Sequence, residues 1–456
     1  MIQSTHSRNI TEGVIWKQLL LFFFPILMGS FFQQMYNTVD TIIVGRAVGT
    51  QALAAVGSTS SLINLINGFF IGLSTGATVI LSQYFGANDQ QGIHRALHTG
   101  IGLAIVLGVL ASALGVLAGP AVLKMIRTPE SCLRDASVYV RIYFLGAVAS
   151  MLYNMGSGIL RAMGDSRRPM IFLIISCFVN ILLDVLCVIV LKLGIAGAAV
   201  ATVLSQTISA FLVVLVLVKM PERYALHLSQ VRIHGNLLRR LLLIGIPAGL
   251  QYVTFDFANL LIQSGINSFG EITVAAWTAF AKADSLTWMV SGALGVAVTT
   301  FVGQNFGAQK LDRIHQCVRI CMGTGVVLFG LISAITLIFR HFILGIYTTD
   351  TAVIQAGAYV MLFIVPFNFF FVPVEVFAGT MRGTGYSLVP TAITSICVCL
   401  FRVIWILTAV RWFHTIEVLA IAYPISWLLA SCVFFAVYRR GKWLHPNAWK
   451  DSLQMI

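Results

Sequence analysis

The stretch Gln83-Tyr84-Phe85-Gly86-Ala87-Asn88 returns 221 residues later as Gln304-Asn305-Phe306-Gly307-Ala308-Gln309. The same offset pairs His94 with His315, Thr128 with Thr349, Gly158 with Gly379, Arg161 with Arg382 and Gly164 with Gly385. It also pairs Ser166 with Ser387, Pro169 with Pro390 and Ser205 with Ser426. Two apolar sequences share Ala and Ser by chance, but a constant offset does not align His, Arg, Gly and Pro by chance. The chain is therefore a duplication, and the repeat sets its architecture.

Composition supplies the medium. Of 456 residues, 58% are hydrophobic and only 10% charged, with mean hydropathy +0.90, against about 25% charged in soluble domains. Twelve apolar segments are predicted, at 15–44, 52–82, 95–118, 134–160, 169–191, 196–218, 238–266, 274–302, 315–339, 353–380, 387–410 and 416–438. Each approaches the ~20 residues that a helix needs to cross a bilayer. Alternating ten-residue segments of a membrane β-barrel do not appear. The expectation is an all-α polytopic membrane protein, with twelve transmembrane helices in two six-helix lobes. Six is even, so both halves enter from one side, a parallel repeat about a pseudo-two-fold axis along the membrane normal.

The lobes are expected at 1–218 and 237–456, joined by a polar linker at 219–236. The net charge of the whole chain, +13, would suggest nucleic acid for a soluble protein. Here nineteen of the 29 Lys and Arg, among them Arg8, Arg95, Arg167, Arg168, Lys219, Arg239, Arg240, Lys310, Arg439, Lys442 and Lys450, fall on the side of the termini. The positive-inside rule puts both termini in the cytoplasm of a plasma (inner) membrane protein, and no nucleic-acid partner is needed. The eight cysteines are scattered and imply no disulfide framework or metal site. Gly86 and Gly307 are expected to turn the ends of the second helix of each half, Gly68, Gly72 and Gly76 to admit a close neighbour, and Arg161 and Arg382 to anchor helix ends at the headgroups.

Ionisable residues inside the apolar segments carry the functional reading, because a charge at membrane depth costs at least ~2.5–3.5 kcal/mol on insertion scales. Asp40 ends NTVD in the first segment. Asn180 and Asp184 are i, i+4 and share a face of the fifth. Asp184 lies about 22 Å of helical rise past Pro169, which puts both acids in the outer half. Two carboxylates together in low dielectric favour one of them holding a proton, and the same group with Asn180 as a neutral oxygen donor suits sodium. By the repeat, Asn180 corresponds to Phe401 and Asp184 to Trp405, so the polar cluster belongs to one lobe alone. The second lobe carries Asp256, Lys282, Asp284 and Glu375, the last at the repeat position of Asn154. These are a second ion or substrate site, or a structural ion pair through Lys282. Tyr36 and the run Phe367, Phe369, Phe370 and Phe371 are candidates to line an apolar pocket for flat cations, against packing alone.

The duplicated QYFGAND and QNFGAQK endings, the GILRAMGDSRRP and GTMRGTGYSLVP loops and the Asp of NTVD resemble the multidrug and toxic compound extrusion (MATE) family over essentially all twelve helices. The resemblance implies an exporter that exchanges H+ or Na+ for organic, often lipophilic cationic, compounds by alternating access. It implies a cation site at Asp40, Asn180 and Asp184 with Asn154 as neighbour, Na+ at Asp40 and Asp184 being the one metal considered. It also implies that Pro25 is a point of helix bending linked to protonation. No enzyme activity, cofactor or ATP is expected, since no phosphate-cradling loop appears, and the chain is expected to act as a monomer on a small organic substrate. A flippase for lipid or lipid-linked saccharide is the alternative. Its polyanionic cargo calls for several cavity Arg and Lys, whereas the intramembrane charges here are mostly acidic.

Overall fold

The computed structural model describes residues 10–126, 128–441 and 443. Arg8, Lys442 and Lys450 of the charge count lie outside them. The described residues are nearly all helical: α1 (Ile15–Ala47), α2 (Thr50–Gly86), α3 (Gln90–Met125), α4 (Glu130–Leu145), α5 (Ala147–Ala162), α6 (Arg167–Asp184) and α7 (Gly194–Val218) come first. The second half has α8 (Gly235–Asn267), α9 (Glu271–Gly307), α10 (Leu311–Ile338), α11 (Arg340–Gly345), α12 (Thr351–Ile364) and α13 (Phe371–Gly383). It closes with α14 (Leu388–Thr394), α15 (Phe401–Trp405), α16 (Arg411–Phe413) and α17 (Ile416–Arg439).

Among the described residues eleven helical spans are long and apolar enough to cross a membrane, and α4 with α5, bent by 47° at Gly146, makes a twelfth. All twelve predicted segments are accounted for. Their outer faces carry large apolar side chains in the open, such as Leu114, Leu117, Leu182 and Phe211. Water penalises such an unbroken apolar surface, whereas hydrocarbon does not.

Packing groups the chain into two compact units. One is built on Leu20–Gly249, and the other takes Thr11–Leu19 together with the chain from Leu250 on. The polar linker at 219–236 therefore packs with the first unit, and so does the start of α8. In the second unit Lys310 donates to the Thr11 carbonyl (3.0 Å), and Arg313 donates to the Gly13 carbonyl (3.0 Å) and to Asn305 Oδ1 (3.1 Å). These bonds fasten the segment that precedes α1.

The repeat reappears as repeated contacts. Gly158 of α5 lies against Ser74 and Thr78 of α2, and Gly379 of α13 lies against Gly295 and Thr299 of α9. The hydroxyls of Thr78 and Thr299 each donate one turn back, to Ser74 O (3.0 Å) and Gly295 O (2.8 Å). One difference matters below: Ser74 in the first half is Gly295 in the second.

Two expectations need correction. Gly86 and Gly307 remain helical, and the left-handed turn falls two residues on, at Asn88 (φ 53°) and Gln309 (φ 58°). The amide N–H groups of these residues close the turn on Phe85 O and Phe306 O, and Asn is the residue other than Gly that tolerates this conformation best. Arg382, expected at the headgroups, instead turns inward, bonding Gln251 Oε1 at 3.1 Å and facing Glu375 at 3.9 Å. α1 runs unbroken through Pro25.

Gly72 and Gly76 do admit a close neighbour. A Cβ on Gly72 would meet the backbone of Gly249, and one on Gly76 would meet that of Leu241 and Gly245. Backbone cannot yield as a side-chain tip does. Gly72→Val should therefore lower the thermal midpoint of the purified protein, with an overpacking cost of about 1–3 kcal/mol or more. Gly57→Ala, where nothing lies within 4 Å, should leave the midpoint unchanged or raise it.

Candidate ion-binding site

In the first unit, α6 presents Asn180 and Asp184 one helical turn apart, and both are fully buried. The helix then widens into a π-turn, Val185–Val190, a local irregularity often found at functional sites. Asp40 of α1 is 6% exposed and lies close enough to Asp184 for their charges to interact. Tyr36, one turn before Asp40, sits in the field of Asp40, and Tyr139 of α4 in that of both acids. The Asn67 amide of α2 donates to the Tyr143 hydroxyl at 2.8 Å, and Gln206 of α7 is a polar neighbour of both Tyr36 and Tyr143.

What marks the place is what it lacks. Five buried atoms here have no hydrogen-bond partner among the described residues: Asp40 Oδ1, Asn180 Nδ2 and Oδ1, and Asp184 Oδ1 and Oδ2. Leaving a buried polar atom unsatisfied costs about 1–3 kcal/mol. Five on three neighbouring side chains form an unusual concentration, and the four oxygens among them are carboxylate and amide groups of the chemistry that takes a proton or a hard metal ion. Asn154, expected as a fourth member, is half-buried and donates to the Ser150 carbonyl of its own helix (2.9 Å). No hydrogen bond ties it to Asp40 or Asp184 among the described residues.

The second unit is built differently. Asp284 of α9 is 5% exposed and fully partnered, accepting from Trp288 Nε1 (2.8 Å) and Asn368 Nδ2 (3.2 Å). Glu375 of α13 lies over Gly295, where Ser74 of the other half would obstruct it, and faces Arg382. Asp256 is half-buried on α8. Lys282 is exposed and makes no ion pair with Asp256 or Asp284 among the described residues, so the Lys-centred ion pair is not what holds these acids. Phe371 packs edge-on to Trp288 and Trp427, and Phe367 and Phe369 pack on Phe370. The rings thus pack on one another, with Phe367 38% exposed.

Sequence reasoning missed Tyr139, Tyr143, Asn67, Gln206 and Arg402. Gln206, an uncharged amide amid apolar residues, and the i, i+4 tyrosines were visible signals. Arg402, 3% exposed, stacks 3.9 Å from the centroid of Tyr423, lies 5.6 Å from that of Trp427, and donates to Ser426 Oγ at 2.9 Å. It follows Phe401, the repeat counterpart of Asn180. Where the first unit holds acids, the second holds a guanidinium under aromatic rings.

The MatE family profile matches residues 25–186 and 247–408, one match in each half. The chain belongs to the MatE family. That is a family of membrane transporters, and both matches span the helices just described. The chain is 29% identical over 391 residues to a probable multidrug resistance protein, YoeA, of Bacillus subtilis, covering 83% of this chain and 84% of that one. It is 24% identical over 437 residues to an FAD transporter of Shewanella oneidensis, covering 94% and 96%. An outward-facing MATE transporter structure superposes with a TM-score of 0.89 at 21% identity, over 96% of this chain and 98% of the other. A transporter of the same superfamily from Pyrococcus furiosus also gives 0.89, at 22% identity over 96% and 98%. The last two establish likeness of fold.

Partnered and unpartnered acids should respond oppositely to neutralisation. Asp184→Asn removes a buried charge that no hydrogen bond repays, so the melting midpoint of the MatE chain should hold or rise. Asp284→Ala strands Trp288 and Asn368 and should destabilise by about 1–3 kcal/mol. Equal losses in both would contradict the difference in partnering.

Proposed function

We propose that this protein is a secondary active exporter that expels lipophilic organic cations in exchange for protons entering the cell, with both termini in the cytoplasm. The single observation that carries the reading is the orphaned set Asp40, Asn180 and Asp184. A proton on a carboxyl group that has no hydrogen-bond partner relieves the cost of burying its charge directly. A sodium ion would have to collect further oxygen ligands beyond these three side chains. The reading of the substrate as cationic is supported by the excess of acids among the intramembrane charges (Asp40, Asp184, Asp256, Asp284 and Glu375), and by relatives described as multidrug resistance proteins. Arg402 is 3% exposed beneath Tyr423 and Trp427, and this burial keeps it from a bulky polyanionic headgroup, so export is preferred to lipid flipping.

The cycle follows from linkage. An ion drives a transporter only if its affinity differs between the outward- and inward-open states, because equal affinity shifts no equilibrium. Protonation of the Asp40 and Asp184 pair from the outside removes the charge on α1 and α6 and favours one state, with release of the cargo. Loss of the proton inside restores the charge and prepares the next binding event. Pro25 leaves α1 short of one backbone hydrogen bond, a low-cost place for that helix to change curvature as Asp40 changes charge.

In proteoliposomes loaded with a fluorescent lipophilic cation, an imposed pH gradient should drive transport by the intact protein, whereas a sodium gradient at equal pH should not. Asp40→Asn should reduce the pH-driven flux to the protein-free baseline. Undiminished flux in the variant would remove Asp40 from the mechanism, and flux driven by sodium alone would replace the ion.

A further inference from the structure

Four of the nine histidines meet where the polar segment between the two halves lies on the start of α3. His94 and His98 are one turn apart on α3, and His227 comes from the connecting segment. A ring nitrogen from each falls within 4.8 Å of the other two. The rings of His94 and His98 are 4.1 Å apart between centroids, and His227 lies 6.1 and 6.3 Å from them. His234 lines the adjoining cavity of about 540 Å³, and its Nδ1 is 3.2 Å from Thr99 Oγ1.

We propose that His94, His98 and His227 form a binding site for a late first-row divalent transition metal, zinc in the first instance, which fastens the inter-repeat segment to α3. Imidazole nitrogens without a carboxylate suit zinc, copper or nickel, and not magnesium or calcium. A tetrahedral zinc with Zn–N of about 2.0–2.1 Å sets its nitrogens about 3.4 Å apart, so the three rings need to close in by roughly 1 Å, a side-chain adjustment. His98 is already oriented for it. Its Nδ1 faces the His94 carbonyl at 2.7 Å, the backbone contact that commonly fixes the tautomer of a metal-bound histidine and leaves Nε2 as the ligand atom. Nε2 currently accepts only the His227 backbone N–H at 3.1 Å, a single neutral bond to be exchanged for the metal. His227 Nδ1 is buried with no hydrogen-bond partner among the described residues. The fourth position opens on the cavity, where Arg95 and Arg232 disfavour a bare cation but suit a metal carrying hydroxide or chloride.

The repeat shows that the cluster is not demanded by the fold. At the counterpart of His94, His315 packs against Tyr438 and Trp443, and the counterpart of His98 is Arg319. The second half thus builds an aromatic contact where the first gathers imidazoles. None of these residues belongs to the acidic site, so this inference stands or falls apart from the transport mechanism.

The test uses the full chain, purified through a histidine-free tag. Titration of zinc against a chromophoric chelator should show one equivalent bound. Cobalt should give the intense visible absorption of a four-coordinate nitrogen site. Zinc should protect His94 and His227 from diethylpyrocarbonate, read by peptide mass spectrometry of the unaltered protein, which requires no variant to fold. His94→Gln and His227→Gln should each weaken zinc by about tenfold or more while the metal-free melting midpoint stays put. Absence of stoichiometric zinc, zinc affinity in both variants equal to that of the unaltered protein, or protection by inorganic phosphate in place of zinc would overturn the proposal.

Discussion

Burying a carboxylate in hydrocarbon without a partner is the constraint on which the functional architecture depends. Insertion scales put a mid-membrane charge at ~2.5–3.5 kcal/mol, and unsatisfied buried oxygens add to that. Asp40 and Asp184 pay this twice within one site, beside an Asn180 whose amide is equally unpartnered. Their surroundings come from several elements: α6 aligns Asn180 with Asp184, the π-turn follows at once, Tyr139 lies near both acids and Tyr36 lies near Asp40.

The duplication shows how such a site was afforded by a symmetric scaffold. Small residues at matching places, Gly158 on Ser74 and Gly379 on Gly295, let the helices of each half approach in the same way. On that shared frame the halves diverge chemically. The first keeps an unpartnered amide at Asn180 and an unpartnered acid at Asp184. The second puts Phe401 and Trp405 there, gives Asp284 two donors, and covers Arg402 with aromatic rings. A group that is satisfied resists change in charge, whereas a group that is not satisfied responds to it. The two halves thus differ in how their buried acids are partnered, Asp184 by no hydrogen bond and Asp284 by two donors.

Much of this was legible in the sequence because it is written in local periodicity. Span lengths, the 221-residue offset and the shared face of Asn180 and Asp184 need no long-range knowledge. What escaped depends on partners distant in the chain. Arg382 looked like a headgroup anchor until Gln251 and Glu375 were seen beside it, and Lys282 looked like a counter-ion for Asp284 until Trp288 and Asn368 took that place. The turns after QYFG and QNFG were assigned to glycine by propensity, yet the left-handed residues are Asn88 and Gln309, where the backbone of each helix end closes. The histidines of α3 and the connecting segment are 129 residues apart between His98 and His227, a distance no motif spans.

The central claim is that Asp40 and Asp184 together hold a proton that the cargo displaces. It is tested most directly by proton release in weakly buffered detergent solution when a lipophilic cation such as tetraphenylphosphonium is added to the purified protein. The account predicts release that saturates with cation binding in the unaltered protein, does not depend on sodium, and disappears in Asp184→Asn. Cation binding without proton release, or release undiminished in Asp184→Asn, would contradict it.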